Sequence, residues 1–297
     1  MHILFISDNF PPEVNAPATR TFEHCTEWVK LGAKVTVITC CPNFPKGKIY
    51  DGFKNKIWQI EENCGIRVIR VWTFIYPNKG FIGRILDYLS FMVTSFVCGL
   101  FVRRVDIVVG TSPQFFTVCS AYFVSLFKRV PWVFEVRDLW PESIRAVGAI
   151  GSANILRLLE KLELYLYHKA DLIILVTNSF RQKLKSRGVK LEKMHVVTNG
   201  VNLELISKPK QTNLLKDQLG LSEKFVIGYI GTHGMAHRLE TIVEAALLIK
   251  NSGDSNKDIS FVFLGDGAEK KYLQKKVMEL GVTNVLFLDT VPKEKIP

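Results

Sequence analysis

The feature that most restricts the fold is a series of short apolar runs of four to six residues, rich in Val, Ile and Phe. Longer segments of helical periodicity separate them. The runs are Ile3–Ile6, Val35–Thr39, Val68–Trp72, Val105–Val109, Trp132–Val136, Leu172–Thr177 and His195–Thr198, then Phe225–Ile230, Ser260–Leu264 and Val285–Leu288. Strands covered on both faces read this way, which predicts parallel sheet flanked by helices. Between the runs, helices are expected at Thr19–Leu31, Ser152–Lys169, Ser179–Arg187, Leu239–Lys250 and Ala268–Leu280. Alternation of this kind predicts an α/β protein of doubly wound units.

A length of 297 residues suits two domains at about 150 residues each. The boundary is expected near residue 200, where Asn199-Gly200 closes a strand and a polar stretch containing Pro209 follows. This gives domains 1–200 and 201–297, with a cleft between them. The second contains only three obvious strands, so it reads as incomplete. Ligands of open α/β sheets bind beyond the carboxyl ends of the strands, and the loops there are the place to seek function.

The formal charge of +11 is uneven: residues 1–200 carry +10 and residues 201–297 carry +1. A positive field of this sort favours anionic partners, either phosphorylated ligands or an anionic membrane surface. Lys and Arg are scattered singly, without the basic runs of a nucleic-acid binder, so no nucleic acid is expected. All six cysteines fall within the first 119 residues and form no CxxC pair. With no signal-peptide pattern in "MHILFISDNF", a reducing cytoplasm and buried, inert thiols are expected.

The run Tyr88–Val102, bounded by Arg84 and Arg103-Arg104, rises only about 22 Å against a hydrocarbon core of roughly 30 Å. Three readings stand: a core helix packed on the sheet, a monotopic membrane contact, or a true span.

Several loops carry candidate chemistry. The loop after the first strand, "SDNFPPEVNAPATR", lacks the G-x-G-x-x-G of a dinucleotide site, which argues against a nicotinamide or flavin enzyme. Its Asn15 and Arg20 lie near a helix start, on a turn or a lid over an acceptor. "GYIGTHGMAHRLETIVEAA" sets Gly231, Thr232, His233 and Gly234 at a strand-to-helix turn, where backbone amides can meet a phosphate and Arg238 can add charge. His233 and His237 lack a third ligand nearby, so no metal is expected. "FLGDGAEKKYL" repeats the arrangement with Gly265, Asp266 and Gly267, as a plain turn or as a contact to a nucleoside. At the exit of a buried strand stand Glu135, Arg137, Asp138 and Glu142, where charge is costly unless paired or functional. There is no Asp-x-Asp for a metal on a diphosphate and no P-loop.

Taken in order, "ILFISDNFPPEVNAPATR", "EVRDLWPES", "ADLIILVTNSFRQKL", "VVTNGVN", "GYIGTHGMAHRLETIVEAA" and "FVFLGDGAEKKYL" resemble bacterial family-4 retaining glycosyltransferases of the GT-B fold. The O-antigen and capsule subgroup that includes L-fucosamine transferases is the most similar. The resemblance implies two Rossmann-like domains facing a cleft and transfer of a sugar from a UDP-sugar with retention. N-acetyl-L-fucosamine is one sugar it implies. It further implies a glycan acceptor on polyprenyl diphosphate, at the inner face of the cytoplasmic membrane, in lipopolysaccharide or other polysaccharide biosynthesis. No cofactor is implied. By position, Asn15 and Arg20 fall on the acceptor side, and Arg137 and Asp138 face the sugar in the catalytic role. Gly231, Thr232, His233, Gly234 and Arg238 meet the donor phosphates, and Asp266 and Gly267 the nucleoside. The family's E-x7-E element falls beyond residue 297, so this form is expected to be poorly active. A UDP-sugar 2-epimerase shares the architecture, and a non-catalytic remnant is a third reading.

Overall fold

Successive side chains of a strand point to opposite faces of its sheet, so a strand apolar throughout needs cover on both sides. The computed structural model meets that need. It describes residues 1–44, 47–76, 81–140, 153–200, 214–252 and 258–291, in two units, Met1–Gly200 and Val201–Pro297.

The first unit has strands β1 (His2–Ile6), β2 (Lys34–Cys40), β3 (Trp58–Asn63), β4 (Ile66–Val71), β5 (Ile107–Thr111), β6 (Trp132–Val136), β7 (Leu172–Leu175) and β8 (Met194–Val196). Its helices are α1 (Ala16–Lys30), α2 (Phe81–Phe101), α3 (Phe115–Lys128), α4 (Ala153–Lys169) and α5 (Asn178–Ser186). The strands form one sheet in the order β3-β4-β2-β1-β5-β6-β7-β8, parallel except for the β3–β4 hairpin. Leu4 and Ile6 of β1 enter one core with Phe91 and Cys98 of α2, Val118 of α3 and Tyr167 of α4. Ile3 and Phe5 enter the other, against Cys25 of α1.

The second unit contains α6 (Leu214–Gln218), β9 (Phe225–Ile230), α7 (Glu240–Asn251), β10 (Ile259–Leu264), α8 (Lys270–Glu279) and β11 (Val285–Leu288). Its strands form a parallel sheet in the order β11-β10-β9. Val243 and Ala246 of α7, Phe261 and Phe263 of β10, and Leu273 of α8 make its core.

Two elements escape a search for continuous apolar runs. β3 alternates exposed and half-buried residues because it is an antiparallel edge strand covered on one face. α3 is apolar nearly all round, on the face that buries Val118, Ala121 and Val124 and on the exposed one with Phe123, Leu126 and Phe127, which hides any helical period. The run expected at Val105–Val109 forms a strand two residues later, at Ile107–Thr111. α2 is longer than the run Tyr88–Val102 suggests, and Gly83–Phe101 is long and apolar enough to cross a membrane by length and composition. Five cysteines are buried, but Cys64 is exposed at the β3–β4 turn, so the expectation of uniformly buried thiols fails there.

Candidate functional site

In the first unit the candidate residues gather at the carboxyl ends of β1, β5, β6 and β8. Glu135, the next-to-last residue of β6, is buried, and Arg20 of α1 reaches it with Nε donating to Oε1 at 2.9 Å. The rest of that guanidinium is also engaged. Nη1 donates to Oδ1 of Asn199 at 2.8 Å and Nη2 to the carbonyl of Val197 at 3.1 Å. Arg20 therefore ties α1 to the ends of β6 and β8. His24 lies 3.7 Å from the same Glu135 oxygen, and burial followed by the Arg20 charge lowers its pKa.

Asn15 caps α1. Its Oδ1 accepts from the amide of Ala18 at 2.8 Å and its Nδ2 donates to Asn9. Both amide groups are thus engaged in shaping the loop after β1. Ser112, after β5, accepts from the amides of Arg137 at 2.8 Å and Asp138 at 3.3 Å, which fixes the turn leaving β6. The guanidinium of Arg137 donates to the carbonyl of Pro17 at 3.3 Å. Burial lowers the pKa of Arg137 and raises that of Asp138, with the Arg137 charge opposing the latter shift. Glu142 lies outside the described residues.

Two acidic side chains near this edge were not singled out from the sequence. Burial pushes Asp8 up to about 6, against the hydrogen bond from Asn9 and the Arg137 charge. Glu13 is raised to about 7 by burial, although its Oε1 accepts from the amides of Asn43 at 2.8 Å and Phe44 at 2.9 Å. Both stand with Asn15 in the nine residues, 7–15, between β1 and α1. An acidic residue just past an apolar strand was the available signal.

In the second unit, two glycine-bearing turns interlock. The amide of Gly231 donates to the carbonyl of Leu264 at 3.0 Å, that of His233 to Asp266 at 2.9 Å, and that of Glu269 back to His233 at 3.0 Å. A Cβ on Gly265, whose φ is +147°, would stand 2.0 Å from the Gly231 carbonyl oxygen. One on Gly267 would stand 2.4 Å from that of His233. Only glycine lets the two turns approach this closely. Asp266 is exposed, and its carboxylate accepts from the Gly267 amide at 2.8 Å. Thr232 is exposed, and its carbonyl accepts from the Tyr229 hydroxyl at 2.9 Å.

His233 turns its ring inward. The imidazole is 0% exposed, neither ring nitrogen has a hydrogen-bond partner among the described residues, and the rings of Tyr229, Phe263 and Phe287 surround it. Burial, and secondarily the Lys270 charge, lowers its pKa, so the ring is neutral at neutral pH. The part of His233 that shapes the turn is its main chain. Lys270, not anticipated, holds the turn from below, with Nζ donating to the carbonyls of Gly265 at 2.9 Å and Leu288 at 3.0 Å and to Asp289 at 2.8 Å. Arg238 is exposed just before α7, in the left-handed backbone region at φ 45°. The result is a rigid main-chain ledge at the carboxyl ends of two parallel strands, with one cationic side chain beside it. Such a ledge suits an anionic ligand. Among the described residues no group of three or more His, Cys, Asp or Glu could hold a metal ion.

A protein of Escherichia coli K12 whose name assigns it to colanic acid biosynthesis, the glycosyl transferase WcaI, is 24% identical over 100% of this chain and 74% of its own length. Among solved structures, Anabaena Alr3699/HepE in complex with UDP and glucose superposes with a TM-score of 0.62 at 17% identity, over 98% of this chain and 70% of that one. A Listeria monocytogenes protein named as a UDP-N-acetylglucosamine 2-epimerase gives 0.58 at 11% identity, over 99% and 70%. The structural neighbours share the GT-B fold. Residues 18–205, more than half of the chain, match glycosyltransferase family 4, and the chain belongs to that family.

Proposed function

We propose that this glycosyltransferase takes a sugar from a UDP-sugar and adds it, with retention and without a metal ion, to a glycan on polyprenyl diphosphate during bacterial polysaccharide synthesis. N-acetyl-L-fucosamine is the sugar we favour, and the inner face of the cytoplasmic membrane the location. The observation that carries the donor half is the interlocked pair of turns at Gly231–Gly234 and Gly265–Gly267, followed by Arg238 and α7. A departing diphosphate gathers negative charge in the transition state. Fixed main-chain dipoles and one guanidinium stabilise such charge without having to reorganise. The UDP and glucose bound by the HepE neighbour, and the colanic acid role in the relative's name, support the donor and the product class.

On the acceptor side, the loop shaped by Asn15 and the turn bearing Arg137 and Asp138 are assigned to holding the sugar and the incoming hydroxyl. Arg20 acts in this reading as a positioning residue through Glu135 and Asn199.

Calorimetric titration with UDP tests the donor site. Saturable binding that weakens about tenfold in Arg238→Ala is expected, the loss of one charge-assisted contact. Absence of binding at millimolar UDP would overturn the assignment. Incubation with UDP-sugar alone then separates transfer from epimerisation, which would yield an epimer with no acceptor present. With a lipid-linked acceptor, the anomeric configuration of the product decides retention.

A further inference from the structure

α2 packs one face into the first unit, burying Phe91, Ser95 and Cys98, while Val93, Val97 and Phe101 stand exposed at four-residue spacing on another. α3 does the same, burying Val118, Ala121 and Val124 and exposing Phe123, Leu126 and Phe127. The two stripes are neighbours. Phe96 of α2 meets Phe123 and Phe127 of α3 edge-on, and the hydroxyls of Ser95 and Ser120 bond at 2.8 Å between the helices. Exposure reaches 66% at Phe101 and 70% at Phe127. Contiguous exposed aromatic surface of this kind marks a contact site.

The helix ends supply the second observation. Lys128, in the last turn of α3, donates Nζ to the carbonyls of Leu100 at 3.1 Å and Val102 at 2.6 Å, which clamps the two carboxyl ends together. Beside that clamp stand Arg103, Arg104 and Arg129, all exposed. Arg104 and Arg129 both occupy the left-handed region, at φ 54° and 55°, where glycine ordinarily ends a helix. Two arginines thus hold positions that disfavour any side chain, and they flank an apolar tip. Asp106, exposed two residues after Arg104, accepts a hydrogen bond from the amide of His2 at 2.6 Å.

We infer that the exposed faces of α2 and α3, with Arg103, Arg104 and Arg129, form a monotopic docking surface for an anionic lipid bilayer. Val97, Phe101, Phe123 and Phe127 enter the acyl boundary while the guanidinium groups meet headgroup phosphates. α2 does not span the bilayer, because its opposite face is the core of the unit and its Ser95 hydroxyl pairs within the protein. The charge matches an anionic surface, and the apolar stripes match what a helix lying in the interface buries. This inference rests on the membrane location proposed above and names the surface that meets it; because it concerns the first unit, its failure would leave the donor assignment in the second untouched.

The test is co-sedimentation of the full chain with vesicles of phosphatidylcholine alone and of phosphatidylcholine with phosphatidylglycerol, at low and high salt. Binding to the anionic vesicles that fades with salt is expected. Arg104→Gly combined with Arg129→Gly should weaken it by about ten- to thirtyfold, at roughly fivefold per arginine near an anionic surface. That pair should melt no lower than wild type, since glycine accepts the backbone there, and should keep its UDP affinity. Phe101→Ser with Phe127→Ser should abolish binding; should that pair lose its folding transition, the arginine pair decides alone. No binding to anionic vesicles, equal binding to neutral ones, or variants that bind like wild type would each overturn the inference. So would self-association without lipid that the phenylalanine pair removes while vesicles go unbound, which would assign the face to a second copy of the chain.

Discussion

A methyl group at Gly265 would lie 2.0 Å from a carbonyl oxygen, whereas one at Gly228 in the neighbouring strand β9 would meet nothing within 4 Å. Gly265→Ala should therefore push the two turns of the second unit apart, costing about 2–4 kcal/mol in stability and at least about tenfold in UDP affinity. Gly228→Ala should leave UDP binding unchanged, and calorimetry on the two variants checks the contrast. A second residue-scale expectation concerns Glu13, buried and raised to about 7 from an ordinary 4.5, mainly by burial, with the Asp8 charge adding to it and the Arg70 charge opposing. The folded carboxyl keeps its proton up to about pH 7 while the unfolded one releases it near 4.5. The native state then binds more protons in that window, so stability falls as pH rises through it, by on the order of 3 kcal/mol in full. Urea midpoints measured from pH 4.5 to 8 should show the decline in wild type, and a flatter profile in Glu13→Gln. An unchanged slope in the variant would remove Glu13 as its source.

At the scale of elements, α1 is held to the sheet by one guanidinium as well as by its apolar face. Removing Arg20 strands Glu135 as a buried charge, so Arg20→Ala is expected to cost about 3–5 kcal/mol, read as a lowered thermal midpoint. Arg20→Met with Glu135→Leu should recover much of that loss, because no charge is then left unpaired. Nothing local in the sequence announces this tie: Arg20 lies 115 residues from Glu135 and 179 from Asn199. The strands of the first sheet were readable because enclosure on both faces leaves an unmistakable run of Val and Ile. β3 was not, since one wet face breaks the run, and α3 was not, since its exposed face is as apolar as its buried one and leaves no helical period. The glycine turns at 231–234 and 265–267 could be located from punctuation alone, but the inward ring of His233 and the Lys270 brace depend on packing that no spacing encodes.

On the scale of the molecule, each unit carries its own apolar core, and formal charge separates along the same division, with +10 in residues 1–200 and +1 in the remainder. The fold class followed from the rhythm of runs and helices, which is a whole-chain property, and it held. Because the ledge proposed for the donor belongs wholly to the second unit, a hundredfold excess of UDP over its dissociation constant should stabilise that unit by about 2.7 kcal/mol. Differential scanning calorimetry should then show one transition moving up with UDP and the other staying in place. Movement of the first unit's transition alone would place the nucleotide elsewhere. The dehydrated imidazole of His233 has a last consequence. Sealed inside the turn, with its pKa lowered mainly by burial, that ring stays off the ligand side, and grip on the nucleotide is left to the main-chain amides and to the side chain of Arg238 beside them.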